Sequence, residues 1–238
     1  MYDLVAARED AYWWHRARRT MAADLLERFG LGARGRTIDL GCGTGGNLAV
    51  VSSFAPTLAA GVDLSILALD RARRRFPSAP LVRADVNRGL PFRDETVHAV
   101  TIFNVLYHKW IADEVEVMRD VARILRPGGL LLATEPAFRS LARPLDEAAM
   151  TRRRYRAPEF AALCERAGLS VRFTSYFTTF GAPVALLAKQ AGSRADTQPL
   201  NRCVNAVFYL AARAEAWAIV RGMRMPFGVT LVCIASKT

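Results

Sequence analysis

Four cysteines and three histidines in 238 residues leave little with which to build a metal centre or a disulfide framework. Cys42, Cys164, Cys203 and Cys233 stand far apart in otherwise apolar stretches and form no Cys-x-x-Cys pair. Structural zinc and a disulfide scaffold are therefore not expected, no metal site is assigned, and a reducing, cytoplasmic setting is the expectation. No stretch reaches the roughly 20 uninterrupted apolar residues of a spanning helix. Residues 1–10 carry acids and no apolar run, which argues against a signal peptide. Acidic residues are also in short supply, 22 against 33 basic ones, and the net charge of +11 is mostly arginine. Such a balance favours anionic substrates, nucleic acid or a membrane surface, although arginines spread over solvated helix faces give the same total.

What is present is a globular chain, 52% apolar with 23% charged residues, of a length that suits one α/β domain with an elaboration. Its organising stretch is Thr37–Gly45, Thr-Ile-Asp-Leu-Gly-Cys-Gly-Thr-Gly. A short apolar strand ends at Asp39, glycines follow at 41, 43 and 45, Gly46 comes next, and an apolar helix resumes at Leu48. Glycine suits such a strand–turn–helix because the turn needs unusual backbone angles and a side chain would hold a ligand away from the peptide plane. The helix start turns free N–H groups toward the same place. Gly41, Gly43 and Gly46 also satisfy Gly-x-Gly-x-x-Gly, the dinucleotide fingerprint, so the turn by itself leaves the cofactor open.

Asp39–Gly45 matches Asp-x-Gly-x-Gly-x-Gly, and here the chain resembles the class I S-adenosylmethionine-dependent methyltransferases. The resemblance implies a Rossmann-like α/β fold with a seven-stranded sheet, its last strand antiparallel, helices on both faces, and S-adenosyl-L-methionine as cofactor. It puts Gly41, Gly43 and Gly45 against the amino-acid end of that cofactor, with Asp39 and Cys42 also among the cofactor-binding residues. Asp63, with Leu64 beside it, ends the next strand (Leu58–Val62), where a carboxylate accepts both ribose hydroxyls. Ser65 caps the helix Ile66–Phe76, and the arginines at 71, 73, 74 and 75 are read as its solvated face. Asp85 and Val86 follow a third strand, Leu81–Ala84, and resemble the family element that holds adenine. A fourth strand, Val97–Phe103, leads into Asn104-Val105-Leu106-Tyr107-His108, which faces donor and acceptor because ligands bind outside the carboxyl ends of parallel strands. Asn104 is assigned to the cofactor. Tyr107 and His108 are the catalytic candidates, His108 as a base for an oxygen or nitrogen nucleophile or as a residue that only orders the loop.

Arg126-Pro127-Gly128-Gly129, a frequent signature of the same family, should end a helix over 111–125 and open a fifth strand at Leu130. Pro136-Ala137-Phe138, Asp146 and Arg153-Arg154-Tyr155 resemble a bacterial subgroup of these enzymes, although Thr151 stands near the place of the subgroup's histidine. In that architecture the loop covers the acceptor pocket, so Arg153, Arg154 and Tyr155 are substrate-binding candidates, and Tyr176 on a sixth strand (Leu169–Phe177) joins them. Helical spacing from Leu4 to Phe29 marks an N-terminal segment in which Tyr12, Trp13 and Trp14 either line the acceptor side as a lid or pack on the sheet, with Trp13 the more exposed.

The expected organisation is one domain: a helical lid over 1–30, a core over 31–181, a helical insertion over 182–222, and the last strand over 223–238. In the insertion, Val184–Ala188 is apolar, 192–199 is a polar break, and 200–221 is helical with Val204, Val207, Phe208, Ala211, Ala214 and Ile219 on one broad face. That face has three candidate uses: packing on the sheet, a dimer contact, or a cover for a greasy acceptor at a membrane surface. The function expected is methyl transfer to the O, N or C atom of a small molecule, hydrophobic or anionic, such as a natural product, a sugar or a lipid-linked intermediate. The rivals are an NAD(P)-dependent oxidoreductase on the same turn and a non-catalytic S-adenosylmethionine-binding module. Asn104-Val105-Leu106-Tyr107 is no Asn-Pro-Pro-aromatic element, so a nucleic-acid base is disfavoured as acceptor. At most peripheral membrane contact, and a monomer or homodimer, are expected.

Overall fold

Short apolar runs alternating with helical stretches build a parallel sheet whose helices return the chain across its two faces. In the structure, a computed structural model, residues 9–31, 35–54, 58–183, 186 and 201–238 are described. The order is α1 (Trp13–Arg28), β1 (Arg36–Leu40), α2 (Leu48–Phe54), β2 (Leu58–Asp63), α3 (Ile66–Arg75), β3 (Leu81–Arg83) and β4 (Val97–Phe103). There follow α4 (Glu114–Ile124), β5 (Leu125–Pro136), α5 (Pro144–Ala148), α6 (Ala157–Arg166), β6 (Leu169–Phe177), α7 (Arg202–Val220) and β7 (Thr230–Lys237). The seven strands form one sheet in the order β3-β2-β1-β4-β5-β7-β6. β1 pairs in parallel with β2 and β4, and β7 runs antiparallel between β5 and β6. Strand order therefore reverses between β1 and β4, and in open α/β sheets ligands bind outside the carboxyl ends of the strands at such a switch point.

Each face of the sheet has its own core. On one, Val117, Met118 and Val121 of α4 and Phe160 and Cys164 of α6 pack over Ile38, Val100, Ile102 and Leu131. On the other, Trp13, Ala17, Met21 and Leu25 recur every four residues along α1 and meet Phe173, Phe177, Val232 and Ile219. Truncating a fully buried side chain such as Met21 or Leu25 to alanine costs about 2–5 kcal/mol. Caps set the helix starts: Ser65 accepts from Ala68 N–H on α3, and Asp113 from Val115 and Glu116 N–H on α4.

Several expectations shift. Arg126–Gly129 does not open a separate strand: β5 already begins at Leu125, which pairs with Val97, and the next pair is Ala99 with Leu130. The four residues between bulge out of the ladder, with Gly128 at φ 74°. Trp13 and Trp14 are reversed. Trp13 is buried against Phe180 and Phe208, while Trp14 is half-buried. The broad apolar face expected on residues 200–221 is divided, with Ala212, Ala216 and Ile219 in the core and Val204, Val207, Ala211 and Ala214 exposed. The parts of the expected lid at 1–8 and of the insertion at 184–185 and 187–200 lie outside the described residues.

Candidate functional site

The turn between β1 and α2 uses its glycines for different ends. Gly41, Gly43 and Gly45 all have positive φ, 71°, 54° and 87°. At Gly41 a Cβ would collide with Val105, the residue that begins the β4 loop, and at Gly45 it would press on Ala72 and Phe76 of α3. Gly43 has nothing within 4 Å of its absent Cβ, so the backbone there is open to a close approach. Cys42 is buried beneath the turn, and burial with Asp39 and Asp63 nearby pushes its thiol up, so it is packing rather than a nucleophile.

Asp63 closes β2 and accepts from Gly43 N–H and Ser65 N–H, both at 2.8 Å, which fixes its carboxylate beside the glycine turn. Asp85, at the end of the neighbouring β3, accepts from the backbone and side-chain N–H of Asn87 at 3.0 and 2.9 Å. Val86 is half-buried against the core, and Leu64 is exposed beside Asp63. Both acids thus stand at adjacent strand ends, β2 and β3 being paired with Asp63 opposite Arg83.

α1 supplies two features that its aromatic-rich sequence conceals. Arg18, only 3% exposed, lies under the rings of Trp14 and Phe103 at 4.4 and 5.0 Å and donates weakly to Asn47 at 3.4 Å. Its Nε and Nη1 have no partner among the described residues. Burial, opposed by the Asp39 and Glu9 carboxylates, lowers its pKa to about 10. Asp39 is fully buried. It accepts from Thr101 Oγ1 at 2.8 Å while Oδ2 has no partner, and burial raises it to about 7. Burial with Arg18 and Arg19 alongside holds His15 neutral, down to about 3. Arg75, expected on a solvated face, instead ties the N-terminal segment down. It donates to Glu9 at 3.0 Å, Asp10 at 2.6 Å and Thr44 O at 3.1 Å, and Thr44 Oγ1 donates to Glu9 at 2.6 Å. Tyr12 is half-buried against Trp13 and His15.

The loop after β4 is held from below by Glu135 on β5, which sequence reasoning missed. Its fully buried carboxylate accepts from Val105, Leu106 and Tyr107 N–H at 3.0, 2.9 and 3.2 Å. Burial pushes it up to about 8 against the pull of those three amides. Asn104 takes positive φ, 58°, and its buried Oδ1 lacks a partner among the described residues. Burial raises Tyr107. His108 is lowered by burial and is neutral at pH 7. Its Nδ1 accepts from Trp110 N–H at 3.3 Å, which places the remaining proton on Nε2 and makes the ring a donor on that side. The segment carrying Thr151–Tyr155 pairs with this loop through His108–Thr151 and joins β5 through Ala137–Tyr155.

That segment's arginines are held by carboxylates. Arg154 makes a bidentate pair with Asp146 at 2.6 and 2.8 Å and donates to Ala137 O at 3.0 Å, and it is buried. Arg153 donates to Glu114 at 2.8 and 3.1 Å and lies 4.7 Å from the ring of Tyr155, and Arg152 also pairs with Glu114. Tyr155, 1% exposed, sits edge-on to Phe160 in the core. Tyr176 is buried against Phe138 and its hydroxyl accepts from Ala157 N–H at 2.8 Å. The structure thus brings together Asp39, the glycines, Asp63, Asn104 and Tyr107 around the carboxyl ends of β1, β2 and β4. It does not bring Arg154, Tyr155 or Tyr176 there, because their polar atoms brace the segment over 142–157 or their rings fill the core.

Residues 38–133 match a family model described as a methyltransferase domain. The trans-aconitate 2-methyltransferase of Methylobacterium nodulans is 31% identical over 220 residues, covering 82% of this chain and 84% of the relative. The chain belongs to the S-adenosylmethionine-dependent methyltransferases, with S-adenosyl-L-methionine as cofactor. With several other curated relatives the chain spans less than half of the relative's length, 31% in one case, 46% in another and 43% in others. Solved structures are similar in fold. The methyltransferase bound to the Trm112 activator of Haloferax volcanii superposes with a TM-score of 0.67 at 18% identity, over 97% of this chain and 92% of that one. Geranyl diphosphate C-methyltransferase of Streptomyces coelicolor A3(2), solved with Mg2+, geranyl diphosphate and S-adenosyl-L-homocysteine, gives 0.63 at 16% identity over 94% and 79%.

The residues present fit that cofactor. Arg18 Nε and Nη1 and Asp39 Oδ2, of opposite charge and without hydrogen-bond partners among the described residues, suit the two charges of a zwitterion, and Asp63 beside the open Gly43 suits a diol.

Proposed function

We propose that the cleft at the ends of β1, β2 and β4 carries out methyl transfer to an O, N or C atom of a small-molecule acceptor, and that Arg18 and Asp39 bind the two charges of the cofactor's amino-acid end. When bound, the cofactor supplies an electrophilic methyl group on a sulfonium. The chain's own part is binding, orientation and exclusion of water, which suffice for much of the rate of an in-line displacement. Arg18 donates to the carboxylate, Asp39 accepts from the ammonium, Asp63 accepts from the ribose hydroxyls, and Asp85 with Val86 borders the base. Tyr107 and His108, on the loop braced by Glu135, border the reacting atoms. His108 offers Nε2–H as a donor that orients the acceptor.

The observation that carries this reading is the pair of buried, opposite, incompletely partnered charges at Arg18 and Asp39. The acceptors named for the relatives, trans-aconitate and geranyl diphosphate, support a small anionic or hydrophobic molecule as acceptor class. Calorimetry with S-adenosylmethionine, S-adenosylhomocysteine and NAD tests the cofactor assignment. Binding of NAD with no response to either sulfur compound would overturn it. Asp63→Ala should weaken S-adenosylhomocysteine binding by more than about tenfold, roughly 1.4 kcal/mol. Labelled methyl donor incubated with the chain and a metabolite extract then identifies the acceptor, and no transfer to any component would leave a binding module.

A further inference from the structure

α7 is apolar on both sides, although it packs on only one. Its inner side meets α1 and β6 through Phe208, Ala212, Ala216 and Ile219, and Glu215 there accepts from Thr179 N–H at 3.0 Å. Its outer side presents Val204, Val207, Leu210, Ala211, Ala214 and Trp217, all exposed, with Leu210 at 67%, Val207 at 62% and Trp217 at 58%. No charged residue interrupts that row. A surface helix of a soluble domain ordinarily turns charge to solvent there, and a helix that is apolar all round is covered on both sides. Among the described residues it is the one helix long and apolar enough to cross a membrane, with a mean hydropathy of 1.3. Its inner contacts, which include the buried Glu215, tie it to α1 and β6, the Arg213–Asp24 pair at 3.8 Å lies on a flank, and a single side is left free.

We propose that this outer face of α7 docks flat on an anionic lipid bilayer. The charges framing the row select that occupant. Arg202 stands at one end and Arg221 at the other, both exposed, and Arg16 lies along one flank over the ring of Tyr209 at 4.3 Å. Arg221 stacks on Trp217 at 3.7 Å, an aromatic–guanidinium pair suited to the headgroup level. A second copy of the chain fits less well. An antiparallel two-fold pairing of α7 sets Arg202 against Arg221, and a parallel one sets each arginine against its own copy, on chains that each carry +11. An anionic surface satisfies both the apolar row and its basic ends. The contact reaches the cleft, because Asn205 accepts from Trp13 N–H at 3.0 Å and donates to Ala11 O at 3.1 Å at the start of α1, the helix that carries Arg18. Docking would hold the methyl-transfer cleft beside the bilayer. The docking inference itself stands apart from that reaction.

The experiment is flotation of the full chain with vesicles of phosphatidylcholine alone and of phosphatidylcholine mixed with phosphatidylglycerol. The expected result is binding to the mixed vesicles that exceeds binding to neutral ones by more than about tenfold. It should fall to the neutral level in Val207→Glu/Leu210→Glu and weaken in the milder Leu210→Gln. Unchanged S-adenosylhomocysteine affinity and circular dichroism show that both variants are folded. Failure of the unaltered chain to float with anionic vesicles overturns the proposal. So does full binding by the folded double variant, which would make the contact one of scattered basic charge. A dimer on size exclusion that Leu210→Gln dissolves, without vesicle binding, assigns the face to a second copy instead.

Discussion

Arg18 and Asp39, one on the helix that precedes the sheet and one in its first strand, are both removed from solvent and yet do not close on each other as an ion pair. A buried guanidinium with two unpartnered nitrogens and a buried carboxylate with an unpartnered oxygen are costly separately. Both costs would fall on binding the zwitterionic end of the cofactor, as proposed above. Arg18→Met keeps the length and packing under Trp14 and Phe103 and removes the charge. It should lower S-adenosylhomocysteine affinity by about tenfold or more, about 1.4 kcal/mol, and leave adenosine affinity unchanged. Equal loss for both ligands would mean that the helix was disturbed rather than a carboxylate contact removed.

The same geometry has a proton linkage. Burial sets Asp39 at about 7, so a fraction of the free chain is protonated there at neutral pH. An arriving ammonium favours the carboxylate and lowers that pKa. Cofactor binding near pH 6 to 7 should then release a proton, and affinity should rise with pH until Asp39 is ionised in the free chain. Calorimetry in buffers of different ionisation enthalpy measures the release, and Asp39→Asn should abolish it. The sign for folding is opposite. Asp39 and Glu135 have folded-state values of about 7 and about 8, above the ordinary 3.8 and 4.5. Their contribution to the stability of the free chain is complete below the lower values and is lost as pH rises through the higher ones.

How much of this was legible in the sequence follows from range. The strand–turn–helix at Asp39–Gly45, the position of Asp63 at a strand end and the late last strand are written in local periodicity and glycine spacing, whereas the antiparallel sense of β7 and the notice taken of Asp85 came from the family resemblance, and all stand where they were expected in the fold. Arg18, Glu135 and Arg75 were not legible, because their roles depend on which distant groups the fold brings near. Glu135 is one acid at the end of an apolar strand until three amides of the β4 loop converge on it. Arg75 belongs to a run of arginines whose helical spacing gives no sign of Glu9, 66 residues away. The partners of Arg153 and Arg154 were not legible for the same reason. A conspicuous Arg-Arg-Tyr invites a ligand, whereas Glu114 and Asp146 already hold both guanidiniums. Along α7 the periodicity was real, but it does not tell that the one broad face divides into an inner side with Ile219 and an exposed outer row with Val204, Val207, Ala211 and Ala214.

Arg154 and Asp146 make the test of that bracing. Their bidentate pair is largely buried, 6% and 17% exposed by side chain, and Arg154 also carries the Ala137 carbonyl. Removing one partner leaves an uncompensated charge, a loss of about 3–5 kcal/mol. Asp146→Ala should therefore lower the urea midpoint markedly and loosen the segment over 142–155. Arg154→Met, which takes the other charge away as well when combined with it, should recover part of the loss. A double variant no more stable than Asp146→Ala alone would show that the pair does not hold the segment as a unit.

His108 separates orientation from proton transfer. Trp110 N–H donates to its Nδ1 at 3.3 Å, burial keeps the ring neutral at pH 7, and Nε2 therefore carries hydrogen and cannot accept a second proton without forming the cation that burial disfavours. As a positioning donor, His108 replaced by alanine should reduce kcat by about tenfold or more with little change in cofactor affinity, and replacement by asparagine, whose amide also donates, should restore part of it. The pH–rate profile decides between the roles. A general base gives an acidic limb that disappears in His108→Ala, whereas a donor leaves the shape of the profile from pH 6 to 9 unchanged and only lowers it. Loss of that limb in the alanine variant would return His108 to the base role and require the Trp110 contact to break during turnover.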